Sequence, residues 1–180
     1  GAGGVSIENV TGDVPDSWRA FGLDDGSGSI ELQTVPVAEN ELYPGSPATT
    51  AMRMTSSVFD SSGFDHETTQ VPLAPAGRLT WGAVYLRADN ADGSDQEVFF
   101  AMGIFEADGT FTGSAPGTVT VTATPEWKYF AGIPYAGAEG QTTNVAFRME
   151  DSGTEDTVLI ALPTLKGLSD RVFRNGFEGE

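Results

Sequence analysis

Apolar and polar residues alternate with a period of two through short runs rich in Val, Thr, Phe and Ile, and clusters of Gly, Asp, Pro and Ser separate the runs. That period sends successive side chains to opposite faces of an extended chain, so the pattern predicts strands joined by turns. The predicted strands are Gly4–Glu8, Trp18–Phe21, Ser29–Gln33, Thr50–Ser56, Glu67–Leu73, Leu79–Arg87, Glu97–Glu106, Thr118–Ala123, Lys128–Ile133, Thr143–Glu150 and Thr157–Pro163. Asp108-Gly109 and Pro75-Ala76-Gly77 carry turn chemistry, and a single turn at Asp13–Ser17 is the most helix the chain offers. Many short strands with turn signals between them read as an all-β sandwich or barrel.

The run Thr80 to Ala88 poses the functional question. One face of that strand carries Thr80, Gly82, Val84, Leu86 and Ala88, which are small and mostly apolar, as core positions are. The other carries Trp81, Ala83, Tyr85 and Arg87, and is either a second core or a platform for a ligand. In Thr143–Glu150 the same alternation turns Val145, Phe147 and Met149 inward and Arg148 and Glu150 outward. Phe99 and Phe105 share a face that Phe100 opposes, while Trp18 and Trp127 read as packing residues.

Composition narrows the function. The chain has 180 residues, enough for one domain with a real core, read as a body over residues 1–166 and a tail over 167–180. Its formal net charge of −17, from 26 acidic against 9 basic residues, repels phosphate backbones and anionic lipid. Nucleic acid and membrane surfaces are therefore poor candidates as partners, and no membrane insertion is expected, because no apolar run reaches the roughly 18 residues of a membrane span. Cysteine is absent, so disulfides and thiol chemistry are too. The opening GAGGV has neither the basic region nor the apolar core of a signal peptide.

Catalytic signatures are sparse. The single histidine, His66, has no Gly-x-Ser-x-Gly elbow to serve and reads as a surface residue on or near the strand that follows it. No phosphate-cradling glycine loop is present, and the carboxylates of Asp24-Asp25 and Asp92 to Asp95 sit in turns, as solvated charge does. A glycosidase pair of carboxylates would need an apolar pocket around one member, and no segment announces one.

Five segments, taken in order, resemble the carbohydrate-binding modules of families four, nine and twenty-two. They are IENVTGDVPDSW (7–18), ELYPGSPATTAMRMTSS (41–57), TTQVPLAPAGRLTWGAVYLRA (68–88), TATPEWKYFAG (122–132) and TVLIALPTLKG (157–167), and the resemblance spans Val5 to Lys166. It implies a galactose-binding-like jelly roll: a two-sheet antiparallel β-sandwich with a concave face that takes up sugars. It also implies one structural calcium ion (Ca2+) near the chain ends, with Glu8 as acidic ligand. Here the sequence departs from the family, because Ala161 stands where the closing strand usually has an aspartate.

On that footing the expected function is non-catalytic binding of a polysaccharide or glycan, with Trp81, Tyr85, Arg87, Arg148 and Glu150 on one sugar-binding face. Aromatic rings stack on the apolar C–H face of a pyranose, and arginine supplies a fixed fork of donors to its hydroxyl rim. The rival expectation is a structural or adhesive sandwich without a sugar site; a small glycan-active enzyme is the third. The tail motif VFRNGFE resembles the C-terminal ends of some secreted proteins of Gram-negative bacteria, which implies a secreted or cell-surface location.

Overall fold

The computed structural model describes residues 10–12, 18–22, 29–57, 61–66, 71–72, 79–114, 119–132, 134–150 and 156–167. Its strands are β1 (Val10–Gly12), β2 (Trp18–Gly22), β3 (Ser29–Val37), β4 (Thr49–Ser57), β5 (Ser61–His66), β6 (Val71–Pro72), β7 (Leu79–Ala88), β8 (Gln96–Phe105), β9 (Phe111–Ser114), β10 (Val119–Ala123), β11 (Lys128–Ala131), β12 (Tyr135–Ala136), β13 (Thr142–Glu150) and β14 (Asp156–Gly167). They form two sheets. Sheet I runs β1-β3-β4-β14-β7-β11, with β12 also on β7; sheet II runs β10-β8-β13-β5-β2, with β6 on β13 and β9 on β8. The pairings are antiparallel apart from the parallel β1–β3 pair. Among the described residues no helix is long and apolar enough to cross a membrane.

The core lies between the sheets and has the predicted phase. Ile30, Leu32, Met54, Val84, Leu86, Val158 and Ile160 of sheet I meet Val98, Phe100, Val145, Phe147 and Met149 of sheet II. Phe100 and Phe147 stack at 5.3 Å with their planes 7° apart. Gly82 is the point of closest approach: a Cβ there would sit 2.5 Å from the Phe100 ring and 3.4 Å from Val145, so glycine lets the sheets close. All-β jelly-roll architecture is thus the fold of this chain.

Departures from the expected strands have local causes. β3 runs on to Val37 through Pro36, because β1 pairs only with Ile30 to Leu32 and leaves Pro36 on an edge that needs no N–H. β14 continues past Pro163 to Gly167 because a bulge between Ala161 and Thr164 absorbs the extra residue. β5 carries His66 at its end, so the histidine closes one strand rather than opening the next. Of the expected strand Glu67–Leu73, Val71–Pro72 is the described part; Gly4–Glu8 and the tail from residue 168 lie outside the described residues. Gly109, at φ 83, turns the β8–β9 hairpin, its N–H donating to the Glu106 carbonyl at 2.8 Å.

Candidate functional site

With Gly82, Val84 and Leu86 turned inward, Trp81, Ala83, Tyr85 and Arg87 lie on the outer face of sheet I. Register then builds two rows across that face. Tyr129, Tyr85, Ala161, Ala51 and Val35 make one row; Arg87, Leu159, Arg53 and Gln33 make the next. Ala161 and Ala51 are small and leave a depression that Leu42 fills from the β3–β4 connection. Leu42, Val37, Ala51 and Ala161 form a buried cluster, with Val35, Tyr85 and Trp127 packed against it. Part of the outer face is therefore a second, small core.

The connection that delivers Leu42 is tightly knit. Asn40 adopts the left-handed region (φ 63), where asparagine is tolerated, and its side-chain oxygen accepts the Gly45 N–H at 2.8 Å. The Asn40 N–H donates to the Ser46 carbonyl at 2.8 Å and the Ser46 N–H to the Tyr43 carbonyl at 2.9 Å. This frame holds Tyr43 against Tyr85, ring centroids 5.6 Å apart and planes 26° apart. From the other side Tyr129 meets Tyr85 at 5.1 Å and 56°. The outer rings stay open, Tyr43 41% and Tyr129 49% exposed, while Tyr85 is half-buried between them. Burial, and then the two neighbouring hydroxyls, push the Tyr85 pKa up.

Beside this strip stands an ordered polar network. Glu41 Oε1 accepts from Arg87 Nη1 at 2.8 Å and from Trp127 Nε1 at 3.0 Å, and its Oε2 accepts the Ala38 N–H at 2.8 Å. These bonds, that of Trp127 foremost and that of Ala38 next, hold the Glu41 carboxyl below the usual range. The Arg87 guanidinium lies 5.1 Å from the Trp127 ring centroid. Asp89 accepts from Arg53 Nε at 3.0 Å and stands 3.9 Å from Arg87 Nη2. The guanidinium that the sequence offered as a sugar fork is thus pre-oriented by a loop glutamate.

The remaining predicted residues do not gather at this strip. Trp81 is half-buried on the same face opposite Lys166, about 13 Å along the strand from Tyr85 at the rise of a β-strand. Arg148 and Glu150 do not join the face: both belong to β13, in sheet II, on the far side of a core about 10 Å thick. The Arg148 guanidinium lies over Phe99 at 4.3 Å, on the outer face of its own sheet. Alternation separates inward from outward residues but does not say to which sheet a strand belongs, so it does not tell which outward sets share a face.

Glu8 lies outside the described residues. Ala161 is buried in the Leu42 cluster and has no side-chain donor for an ion. Among the described residues no group of three or more His, Cys, Asp or Glu is placed to hold a metal. The Asp92 turn is held by the Ser94 N–H, which donates to Asp92 Oδ1 at 2.9 Å.

Sequence reasoning missed Glu41, Tyr43 and Tyr129. Tyr43 sits in a turn-rich segment with no periodicity to reveal a face. Tyr129 becomes part of the strip only through the β11–β7 register, which no local signal encodes.

No family model matches the chain, and no curated protein matches it. Solved structures do. The enzymatically active domain of tailspike protein 4 from bacteriophage CBA120 matches with a TM-score of 0.59 at 12% identity, covering 85% of this chain, which spans 20% of that one. The xylan-binding CBM22-1 domain from Paenibacillus barcinonensis matches with a TM-score of 0.54 at 12% identity, over 92% of each chain. The family 11 carbohydrate-binding module from Clostridium thermocellum, in complex with a beta-1,3-1,4-mixed-linked tetrasaccharide, matches with a TM-score of 0.54 at 13% identity, over 85% of this chain and 90% of that one. The chain has the jelly-roll fold of carbohydrate-binding modules, the fold that its five segments resemble.

Proposed function

We propose that this chain is a non-catalytic carbohydrate-binding domain of a secreted protein, and that it holds a polysaccharide or glycan on the outer face of sheet I. The observation that carries this reading is the strip Tyr43–Tyr85–Tyr129 with its two outer rings exposed. Exposed aromatic patches mark binding surfaces, and a pyranose offers an apolar C–H face to a ring. Tyr43 and Tyr129 are the stacking surfaces, and Tyr85 is the bridge that fixes both. Arg87 and Glu41, oriented before any ligand arrives, meet the hydroxyl rim, and a longer chain reaches Trp81. No bond is made or broken. The sugar ligands of two neighbours of similar fold, xylan and a mixed-linked tetrasaccharide, support a polysaccharide as the class.

The rival is a structural or adhesive sandwich, and Leu42 supports it: a loop plug over Ala51 and Ala161 already covers part of the face. A glycan array together with pull-down on insoluble polysaccharides decides between them. The sugar-binding reading predicts a hit that Tyr43→Ala and Tyr129→Ala weaken while the melting temperature holds. No hit with the wild-type protein moves the assignment to the structural sandwich.

A further inference from the structure

We propose that Leu162 is a ligand-contacting residue of this same face, and that it favours sugars carrying a methyl group, such as acetylated or 6-deoxy sugars. The inference rests on the sugar-binding reading above and adds to it the class of sugar.

Two features of Leu162 conflict with ordinary stability. Its φ is 48, in the left-handed region where the Cβ of an L-residue crowds the backbone. The residue is also 38% exposed, so a large apolar residue keeps part of its surface in water. The other described non-glycine residue with positive φ is Asn40, and there the residue type suits the conformation. At position 162 asparagine or glycine would relieve the backbone, and a polar side chain would suit the solvent. Leucine does neither. Backbone strain kept together with an exposed apolar side chain points to a use outside folding.

The bulge explains how the side chain comes to be there. Along β14, Val158 and Ile160 face the core and Leu159 and Ala161 face outward, so an unbroken strand would send residue 162 inward. The register shift between Ala161 and Thr164 interrupts that phase, and bulges re-aim side chains in this way. Its position is next to the strip. Ala161 stands in the row of Tyr85 and Tyr129, and the β4–β14 pairing runs from Asp156 to Ala161, so Leu162 follows at the notch where that pairing ends. An aliphatic side chain has no π-face for a pyranose to stack on. What it gains from a ligand is burial of another apolar group, and a sugar methyl is the fitting one. One buried methyl corresponds to about a fourfold gain in affinity.

The test uses pairs of glycans that differ only in an acetyl or 6-deoxy methyl, with affinities and melting temperature measured for the wild type, Leu162→Asn and Leu162→Gly. Expected is about a fourfold preference of the wild type for the methyl-bearing member. Leu162→Asn should erase that preference, bringing the affinities for the two members of each pair together, and raise the melting temperature by about 2–4 °C as the left-handed strain is relieved. Leu162→Gly should erase the preference too. If both variants keep the wild-type preference, or the wild type has none while still binding plain glycans, Leu162 only serves sheet closure and the inference falls alone. If the wild type binds no glycan of either kind, the sugar-binding reading itself has failed.

Discussion

Each outer face of the sandwich carries an arginine laid over an aromatic ring, Arg87 above Trp127 at 5.1 Å on sheet I and Arg148 above Phe99 at 4.3 Å on sheet II. On sheet I the ring beneath the arginine lies beyond the strand, just before β11, and is tied to Glu41, so the tyrosine rings nearby keep open faces. On sheet II the guanidinium lies over a ring of the neighbouring strand, Phe99 of β8, directly across from it. Farther along, a Cβ on Gly103 would run into the Asn144 side-chain oxygen and lie within 3.4 Å of the Phe105 and Phe111 rings. Among the described residues there, Phe111 is the open ring, at 55% exposure. An arginine beside a ring does not by itself make a platform. What separates the two faces is the β3–β4 connection, which brings a plug (Leu42), a clip (Glu41) and a third ring (Tyr43) to one of them.

The harshest way to break the comparison is to remove the plug. Leu42→Ala should lower stability by about 2–5 kcal/mol in denaturant unfolding, because a buried leucine leaves a cavity over two alanines. Glycan binding should fall with it as Tyr43 loses its support. Removing Tyr43 or Tyr129 should be milder for the fold and selective for function. Each change to Ala is expected to weaken glycan binding about tenfold, the equivalent of roughly 1.4 kcal/mol, whereas Phe111→Ala on sheet II leaves binding as it was.

Weakening the clip sharpens the picture further. Glu41→Gln should cost about 0.5–1 kcal/mol, a charge-assisted bond discounted for solvent exposure, and lower glycan affinity modestly. Its pH signature has a definite sign. The Glu41 carboxyl is held below its ordinary range, so its contribution is complete above that range and is lost as pH falls through the lowered value. Affinity of the wild-type protein should therefore fall on acidification in that window, and the glutamine variant should lack that step. The smallest effect belongs to the other face: Arg148→Ala should change stability by about 1 kcal/mol or less and leave glycan affinity unchanged.

Much of the fold could be read from alternation, because period two reports burial directly. The inward set Gly82, Val84, Leu86 and the inward set Val145, Phe147, Met149 both came from it. β5 escaped notice because SSGFDH contains Ser, Gly and Asp, which weaken strand propensity, and its stability comes from pairing with β13 and β2. The site was legible only in part. Tyr85 and Arg87 follow from the phase of a single strand. Tyr129 depends on the register of β11 against β7, and Tyr43 on a loop folding back over two alanines, both of them long-range facts. The placement of Arg148 and Glu150 failed for the same reason, since strand order is not written in either strand.

The most direct test of the account is to follow aromatic ring resonances by NMR while the protein is titrated with a glycan that it binds. The account predicts shifts and line broadening at Tyr43 and Tyr129, a smaller response at Tyr85, and none at Phe99 or Phe111. Shifts at Phe99 and Phe111 with Tyr43 and Tyr129 unmoved would place the ligand on sheet II and contradict it.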